Sequence, residues 1–336
     1  MFWPRSIGAM TGFIFRRMLQ SVLVMLAVAL IAFVVIRFVG DPLESLASQE
    51  TRLEDREIMK QRLGLDRPVV FQFVSFVQRG LSGDFGISYK QQEPVARMIA
   101  ERLPATLELA LASATLALLL GGVLGIQCAL KPDSALTHVI MTVSLVGVSL
   151  PTFLIGIGLI YLFSVELGWL PSFGRGETVK LGWWTTGLLT LSGWRSIILP
   201  AITLSLFQMT LLMRLIRAEM LEVLRQDYIR FARARGLPQR TIHFGHALKN
   251  TLVPVITVAG LQLGSVIAFA VVTETVFQWP GVGSLFINSV QSVDVPVMAA
   301  YLVFIALLFV LINLIVDILY YAVDPRLRVA RTGGEA

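Results

Sequence analysis

Six long, uncharged and mainly apolar runs divide the chain. They are Met18–Ile36, Leu109–Leu130, Val139–Val165, Ser196–Met213, Asn250–Thr273 and Val295–Val316. A helix needs about 20 mostly apolar residues to cross a bilayer, because backbone groups in hydrocarbon must bond to one another. Barrel strands would instead alternate over about ten residues. The pattern therefore predicts an all-α, polytopic membrane helix bundle with six transmembrane helices.

A seventh uncharged stretch, Leu181–Trp194, has only 14 residues. That length suits an interfacial or re-entrant segment better than a span. Its three Trp residues are typical of the headgroup level, where amphipathic rings settle. Both alternatives stay open at this point.

Composition supports the membrane assignment. Hydrophobic residues make up 55% of the chain and charged residues 15%, and the mean hydropathy is +0.74. A soluble domain has about 45–50% apolar and about 25% charged residues. A buried helix in a soluble core would explain one such run, but not six. The single cysteine, Cys128, excludes an intramolecular disulfide.

The distribution of basic residues predicts that both termini are cytoplasmic. In that orientation, the cytoplasmic segments hold 14 Lys and Arg and the two short external segments, 164–196 and 279–297, hold 3. The long external segment has little influence on orientation. The net charge of +6 follows from this distribution and does not indicate nucleic-acid binding. We divide the chain into a cytoplasmic N-terminus (1–17), a first span (18–36), an external segment (37–104), a core with the other five spans (105–323) and a cytoplasmic tail (324–336).

The 217–250 loop of that core predicts two helices separated by a glycine. Ala218–Arg235 is rich in good helix formers and contains opposite charges three residues apart. Gly236 stands where a helix terminator is expected, and Pro238 blocks immediate continuation. A second helix is expected at about Gln239–Lys249. Small residues near the glycine would let another protein approach closely, although the charge rule alone would also explain a basic loop here.

The run DYIRFARARGLPQRTIHFGHALKNTLVPVITVAGLQLG, Asp227–Gly264, resembles the signature of peptide and nickel permeases. These are inner-membrane subunits of binding-protein-dependent ATP-binding-cassette (ABC) importers. The resemblance covers about residues 10–330 and implies the type I ABC importer transmembrane fold in a bacterial inner membrane. Further motifs resemble the family in the same order: Leu63–Pro68 (LGLDRP), Gly83–Tyr89 (GDFGISY), Arg102–Leu109 (RLPATLEL), Thr273–Gly283 (TETVFQWPGVG) and Asn313–Arg328.

In such permeases the loop carries the EAA motif, whose short coupling helix docks in a cleft of the ATP-hydrolysing subunit. Gly236 matches the motif's glycine and Ala232 its second alanine. Arg230 and Phe231 replace its first Glu and Ala, and Leu248-Lys249 replaces its Leu-Pro. The resemblance implies an ATPase-coupling loop formed by Asp227, Tyr228, Arg230, Ala232, Ala234, Arg235, Gly236 and Leu237.

The resemblance also implies a function and its partners. This chain would form half of a translocation path for dipeptides or oligopeptides and couple it to ATP hydrolysis by another subunit. Implied partners are a second homologous permease, two ABC ATPase subunits, an extracytoplasmic solute-binding protein, the peptide substrate and membrane lipid. Nickel, glutathione and oligosaccharides use similar permeases and remain alternatives, because substrate choice rests largely with the binding protein.

Catalytic motifs are missing from the sequence. None of the five lysines follows a glycine, so the chain has no phosphate-binding P-loop and is not the ATPase. His243 and His246 are three apart on a predicted helix, but no Cys or acid completes a metal site, and we interpret them as ordinary loop residues. We expect no enzyme activity, cofactor or metal. A membrane-embedded enzyme would need a catalytic cluster.

Three acids, Glu108, Glu274 and Asp317, stand at the edges of predicted spans. Ionisable groups in membranes mark function or a buried pair, so each is expected either to pair structurally or to contact substrate in a pore or gate. The spans lack the midplane charges of a secondary transporter, which is the main rival interpretation. Gly121-xxx-Gly125 and Gly260-xxx-Gly264 predict close helix packing.

Overall fold

The computed structural model describes residues 5–39 and 67–323, and helices dominate them. The one sheet among the described residues is a two-stranded antiparallel hairpin of β1 (Val179–Leu181) and β2 (Trp184–Thr186). A short π-helix at Tyr161–Glu166 extends α6, and another at Thr241–Ala247 precedes α9. The α-helices are α1 (Arg5–Val39), α2 (Val69–Leu81), α3 (Val95–Leu130), α4 (Ala135–Ser144), α5 (Val146–Ser149), α6 (Thr152–Ile160), α7 (Leu191–Leu224), α8 (Asp227–Ala234), α9 (Leu248–Val276), α10 (Val282–Gln291) and α11 (Val295–Val323).

The membrane-helix prediction is confirmed for the described residues. Five helices, α1, α3, α7, α9 and α11, are long and apolar enough to cross a membrane, and each contains one predicted run. The run Val139–Val165 differs, because residues 135–149 and 152–166 form a pair bent by 108°. The expectation of one continuous helix over this run is therefore wrong. Pro151 lacks a backbone N–H and disfavours helical geometry at Leu150, which breaks the run. Counting this bent pair as one span gives six.

The described residues form two compact units. One comprises residues 5–39, 67–104 and 280–311, and the other comprises residues 105–279 and 312–323. α3 and α11 each contribute residues to both units. The sequence boundary at 104/105 therefore falls inside α3, which begins at Val95.

In the first unit, a buried carboxylate organises the loop after α2. Asp294, directly before α11, accepts hydrogen bonds from the backbone N–H of Tyr89 at 3.1 Å and of Lys90 at 3.4 Å, and from the hydroxyl of Ser88. Ser88 and Asp294 are both buried. The GDFGISY motif, Gly83–Tyr89, thus ends at a polar contact that fixes the loop against the start of α11.

In the second unit, α7 packs against α3 and α9. Buried Ala117 of α3, Leu212 and Ile216 of α7, and Val255 of α9 share one apolar cluster. Gly125 allows α3 to approach α7 so closely that a Cβ there would lie 2.7 Å from the Met213 carbonyl oxygen. The other predicted glycine motif behaves alike, since a Cβ on Gly260 would lie 2.7 Å from the Val316 side chain of α11. Close packing at both motifs is confirmed.

We expect Gly125→Ala to lower the melting temperature of the purified chain. The new Cβ would meet the Met213 carbonyl and would lie 2.9 Å from the Ile216 Cβ, and overpacking of this kind costs about 1–3 kcal/mol. Gly122→Ala is the matched control, because nothing lies within 4 Å of a Cβ there and Ala is a better helix former by about 1 kcal/mol. Thermal unfolding in one detergent compares the two. Equal melting temperatures would contradict the α3–α7 contact.

The uncharged stretch Leu181–Trp194 is not one segment. It contains the end of β1, a turn at Gly182, strand β2 and the first residues of α7. The hairpin was not predicted, so the all-α class describes the spans but not this connection. Trp183 and Trp194 are exposed, and the interfacial interpretation of their rings stays a prediction.

Candidate functional site

The loop between α7 and α9 begins with a break in the helix. α7 ends at Leu224, Gln226 is extended with φ −68° and ψ 150°, and α8 begins at Asp227. The expected continuous helix Ala218–Arg235 is therefore wrong. Asp disfavours helix interiors because its side chain competes for backbone groups, whereas in a first turn its negative charge interacts favourably with the helix dipole. The break makes α8 a separate short helix.

One face of α8 is anchored to the rest of the second unit. Ile229 is fully buried and Ala232 is 8% exposed, and both lie in a single apolar cluster. The other members come from the ends of α3 and α7 and from the π-helix before α9: Ala129, Met220, Ile242 and Ala247. α8 is thus fixed to the helices on either side of the loop. A displacement of α8 would be transmitted to them directly.

The C-terminus of α8 is closed by a glycine in the left-handed conformation. Gly236 has φ +75°, its N–H donates to the Arg233 carbonyl at 2.9 Å, and the Leu237 N–H donates to the Ala232 carbonyl at 3.3 Å. This pair of bonds is the Schellman motif, which requires a left-handed residue at this position. A Cβ at Gly236 would meet no atom within 4 Å. The requirement for glycine here is therefore conformational rather than steric.

The outer face of α8 is apolar and basic. The side chain of Phe231 is 64% exposed, that of Tyr228 43% and that of Leu237 38%. The Arg235 guanidinium lies 5.7 Å from the centre of the Phe231 ring, in cation–π geometry. Arg230 is exposed and lies 3.4 Å from Asp227. We call Tyr228, Phe231 and Leu237 the outer face of the loop.

A hydrogen bond links α8 to the fifth span. Asn250, in the first turn of α9, donates its side-chain N–H to the Tyr228 hydroxyl at 2.7 Å. Sequence analysis selected Tyr228 but missed Asn250. It also missed the anchor Ile229 and treated Phe231 only as a departure from the motif. The run DYIRFARAR contains two large aliphatic or aromatic residues without a polar group, Ile229 and Phe231, and the sequence alone does not indicate which of them is buried.

Most predicted loop residues lie on the exposed side of α8, but Ala232 does not. Asp227, Tyr228, Arg230, Ala234, Arg235, Gly236 and Leu237 are exposed. Ala232 faces the apolar cluster, so its small side chain permits the anchoring of α8 rather than the approach of another protein. His243 and His246 follow in the π-helix, and the described residues contain no group of three or more His, Cys, Asp or Glu suited to a metal ion.

Glu108, the first of the three predicted acids, is held in a dense polar network. Its carboxylate accepts from Nε of Arg175 at 2.8 Å and also from Nη2 of that guanidinium. It further accepts from the Thr186 hydroxyl at 2.8 Å and from the Gly187 and Leu188 N–H groups at 3.0 and 3.1 Å. Glu108 and Arg175 are both buried. The network attaches the hairpin segment to α3.

The other two acids lie at different levels. Glu274 of α9 is fully buried and accepts from the Thr106 hydroxyl at 2.6 Å, so it lies near Glu108 in the N-terminal half of α3. Asp317 of α11 follows Val316, which packs on Gly260. Gly260 precedes Glu274 by 14 residues, or about 20 Å of helix. The structure therefore brings two of the three acids to one region and places Asp317 elsewhere.

Comparison with known families gives two matches in order along the chain. The family model for a binding-protein-dependent transport system inner membrane component matches residues 121–329. The model for the N-terminal part of such a membrane component matches residues 10–110. Together they cover the loop that contains α8 and all of the described spans except residues 111–120 of α3.

Similar proteins match almost end to end. The di/tripeptide transport system permease protein DppB of Pseudomonas aeruginosa is 40% identical over 335 residues, which cover 95% of this chain and 99% of the relative. The glutathione transport system permease protein GsiC of Escherichia coli (strain K12) is 36% identical over 320 residues, with the same coverage. A chain of the MetNI methionine ABC transporter, in an inward-facing conformation, is similar with a TM-score of 0.52 and 18% identity, over 66% of this chain and 93% of that one. At this identity the likeness concerns the fold.

Proposed function

We propose, from the premise that this chain belongs to the family of binding-protein-dependent transport system inner membrane components, that its α8 loop docks on an ATP-hydrolysing partner. The chain is a multi-pass permease subunit of a bacterial inner-membrane ABC importer for peptides. It works with other transporter subunits and is not itself an enzyme. The docking loop is formed by Asp227, Tyr228, Arg230, Ala232, Ala234, Arg235, Gly236 and Leu237.

The observation that carries this proposal is the division of α8 into two faces. Ile229 and Ala232 fix its inner face to α3, α7 and the π-helix before α9, whereas the large aromatic ring of Phe231 is exposed. Exposed apolar groups ringed by polar residues mark sites of protein interaction. Aromatic and Arg side chains are the residue types enriched in such interfaces.

The geometry supports a mechanical mode of coupling as part of this proposal. When ATP closes two partner ATPase subunits on each other, a helix seated in each would move with them. Because α8 is anchored through Ile229 and bonded through Tyr228 to Asn250, that movement would tilt α7 and α9. For the path to open alternately to the outside and to the inside, this loop must be rigid and well packed. It needs no catalytic group.

The orientation and the full assembly belong to the same proposal. The loop and both termini face the cytoplasm, in line with the excess of Lys and Arg in those segments. The complex contains a second homologous permease, two ABC ATPase subunits and an extracytoplasmic solute-binding protein. Segments 37–104 and 164–196 then face outside, and the core of the path lies in residues 105–323.

The three acids receive different roles in this proposal. Glu108, through its network with Arg175, and Glu274, through Thr106, shape the external end of the path and act as gating elements rather than substrate ligands. Each has hydrogen-bond donors within the chain, which reduces what it can offer to a passing peptide. Asp317 is assigned to the path at a different depth along α11.

We expect the tagged chain, purified in mild detergent from its native bacterium, to retain a P-loop ATPase and a second permease. Phe231→Ala should reduce the recovered ATPase several-fold, because Phe231 is the most exposed large hydrophobic residue of α8, and it should reduce ATP-dependent uptake of a labelled dipeptide in parallel. Quantitative mass spectrometry of the purified complex gives the ratio of ATPase to permease.

Phe244→Ala serves as the matched control, because Phe244 is also an exposed phenylalanine of this loop, 53% exposed, but lies in the π-helix after α8. It should retain the ATPase. If Phe244→Ala lost more ATPase than Phe231→Ala, the docking face would not be α8. Recovery of the wild-type chain alone, active in transport without ATP, would overturn the importer assignment.

A further inference from the structure

Two arginines of α7 have no partner within the part of the chain that the structure describes. Arg214 and Arg217 are half-buried, and the Nε atom of each is buried without a hydrogen-bond acceptor. Among residues 5–39 and 67–323, neither guanidinium makes a hydrogen bond or an ion pair. Arginine is always charged, and buried charges in proteins are paired. An anion outside the described residues would supply what is missing.

The position along α7 indicates the depth of these charges. Arg195 and Arg214 enclose the uncharged run Ser196–Met213. At 1.5 Å per residue, Arg214 lies about 28 Å along the helix from Arg195, close to the roughly 30 Å thickness of a bilayer's hydrocarbon core. Arg217 lies one turn farther. If Arg195 lies at one boundary of the hydrocarbon core, Arg214 and Arg217 reach the opposite boundary, where lipid phosphates lie.

The two arginines also share one stripe of α7. Thr210, Arg214 and Arg217 are spaced i, i+4 and i+7, so their side chains leave the helix on one face. At Thr210 this face meets α4, because the Thr210 hydroxyl donates to the Ser144 carbonyl at 3.1 Å. Arg214 and Arg217 therefore lie on the face of α7 that contacts α4 at Thr210, but closer to α8.

We propose that Arg214 and Arg217 form a clamp for the phosphate group of an anionic membrane lipid, in the leaflet that faces α8. Two adjacent guanidinium groups match the acceptor oxygens of a phosphate, which arginine binds with paired hydrogen bonds. Basic sites between membrane helices on the cytoplasmic side are suited to such headgroups. The lipid would hold α7 at a fixed depth beside the helix break that precedes α8.

The test compares wild type with Arg214→Gln/Arg217→Gln. The full complex is reconstituted in nanodiscs of phosphatidylcholine alone or of phosphatidylcholine mixed with phosphatidylglycerol, whose headgroup is anionic. Wild type should melt at a higher temperature with phosphatidylglycerol, and native mass spectrometry should find at least one retained phosphatidylglycerol. The double variant should lose most of the temperature shift and the retained lipid.

Lys131→Gln/Arg225→Gln is the matched control, because it removes two exposed positive charges from the same end of the helices and should keep both signals. A phosphatidylglycerol effect that is equal in wild type and the Arg214/Arg217 variant would overturn the clamp. Inorganic phosphate is also added to wild type in phosphatidylcholine nanodiscs. If it raises the melting temperature as much as phosphatidylglycerol does, the phosphate group need not come from a lipid and the lipid clamp is refuted. Loss of the second permease from the double variant, with lipid retention unchanged, would assign the pair to a protein carboxylate instead.

Discussion

Glu108→Gln is expected to destabilise the permease by about 3–5 kcal/mol, the usual cost of removing one partner from a buried ion pair. The amide would leave the buried Arg175 guanidinium without a negatively charged partner, and its acceptors would be neutral: the amide oxygen and the hydroxyl and carbonyl of Thr185. It would also weaken the bonds from Thr186, Gly187 and Leu188. Thermal unfolding of the purified complex in one detergent measures the loss, and the hairpin segment should become the first site of protease cleavage.

Glu101→Gln is the control on the same helix. Its partner Arg97 lies at 2.8 Å, but both side chains are more than half exposed, and exposed pairs contribute about 0–1 kcal/mol. Should Glu108→Gln fail to fold, the double variant Glu108→Gln/Arg175→Gln remains informative. It removes both charges and should be more stable than the single variant. A double variant less stable than Glu108→Gln would show that the carboxylate and the guanidinium do not stabilise each other.

Gly236→Arg is expected to reach the membrane in normal amounts but to lose ATP-dependent peptide uptake. The left-handed conformation costs a residue with a Cβ about 1–2 kcal/mol, which lowers the population of the closed α8 terminus by roughly 5–30-fold. The long cationic side chain would also change the surface offered to the ATPase. Uptake of a labelled dipeptide by cells, set against permease abundance and ATPase activity, measures the coupling.

Gly236→Asn separates the two causes. Asparagine enters the left-handed region more readily than other residues with a Cβ, so this variant should keep most of the uptake. Normal uptake by Gly236→Arg would disprove the coupling-loop assignment. An equal loss in both variants would show that the backbone conformation at this residue is not the cause.

The spans could be predicted from the sequence because each is a local property. An uncharged run of sufficient length must be helical in a bilayer whatever surrounds it, and five of the six runs each lie in one continuous helix. The bend in Val139–Val165 was also encoded locally, in Pro151. Length alone concealed it, since 27 uncharged residues satisfy the requirement for a span with or without a kink.

The contacts around the acids could not be predicted, because they depend on distant residues. Glu108 and Arg175 are separated by 67 positions, and nothing in the hairpin sequence indicates that Arg175 turns inward. The alternation of strands three residues long is too short to detect. The sequence did predict that the acid was either paired or functional, and only the fold identifies its partner.

The orientation of α8 was beyond the sequence for another reason. The motif identified which residues form the loop, but an eight-residue helix has too few turns for its apolar stripe to stand out. Ile229 and Ala232, spaced by three, define the inner face only once Met220 and Ile242 are seen opposite them.

The π-helix at Thr241–Ala247 affects how relatives of this permease should be aligned. Its bonds span five residues where an α-helix spans four, so this stretch holds a surplus residue without forming a loop. A homologue that has lost one residue here would tighten the turn to an α-helix and keep α9 continuous. A gap in this stretch of an alignment would therefore record a change of helical winding and not the loss of a surface insertion. If an α-helical period were continued from α8 across this stretch, the residues of α9 would be assigned to the wrong face of their helix.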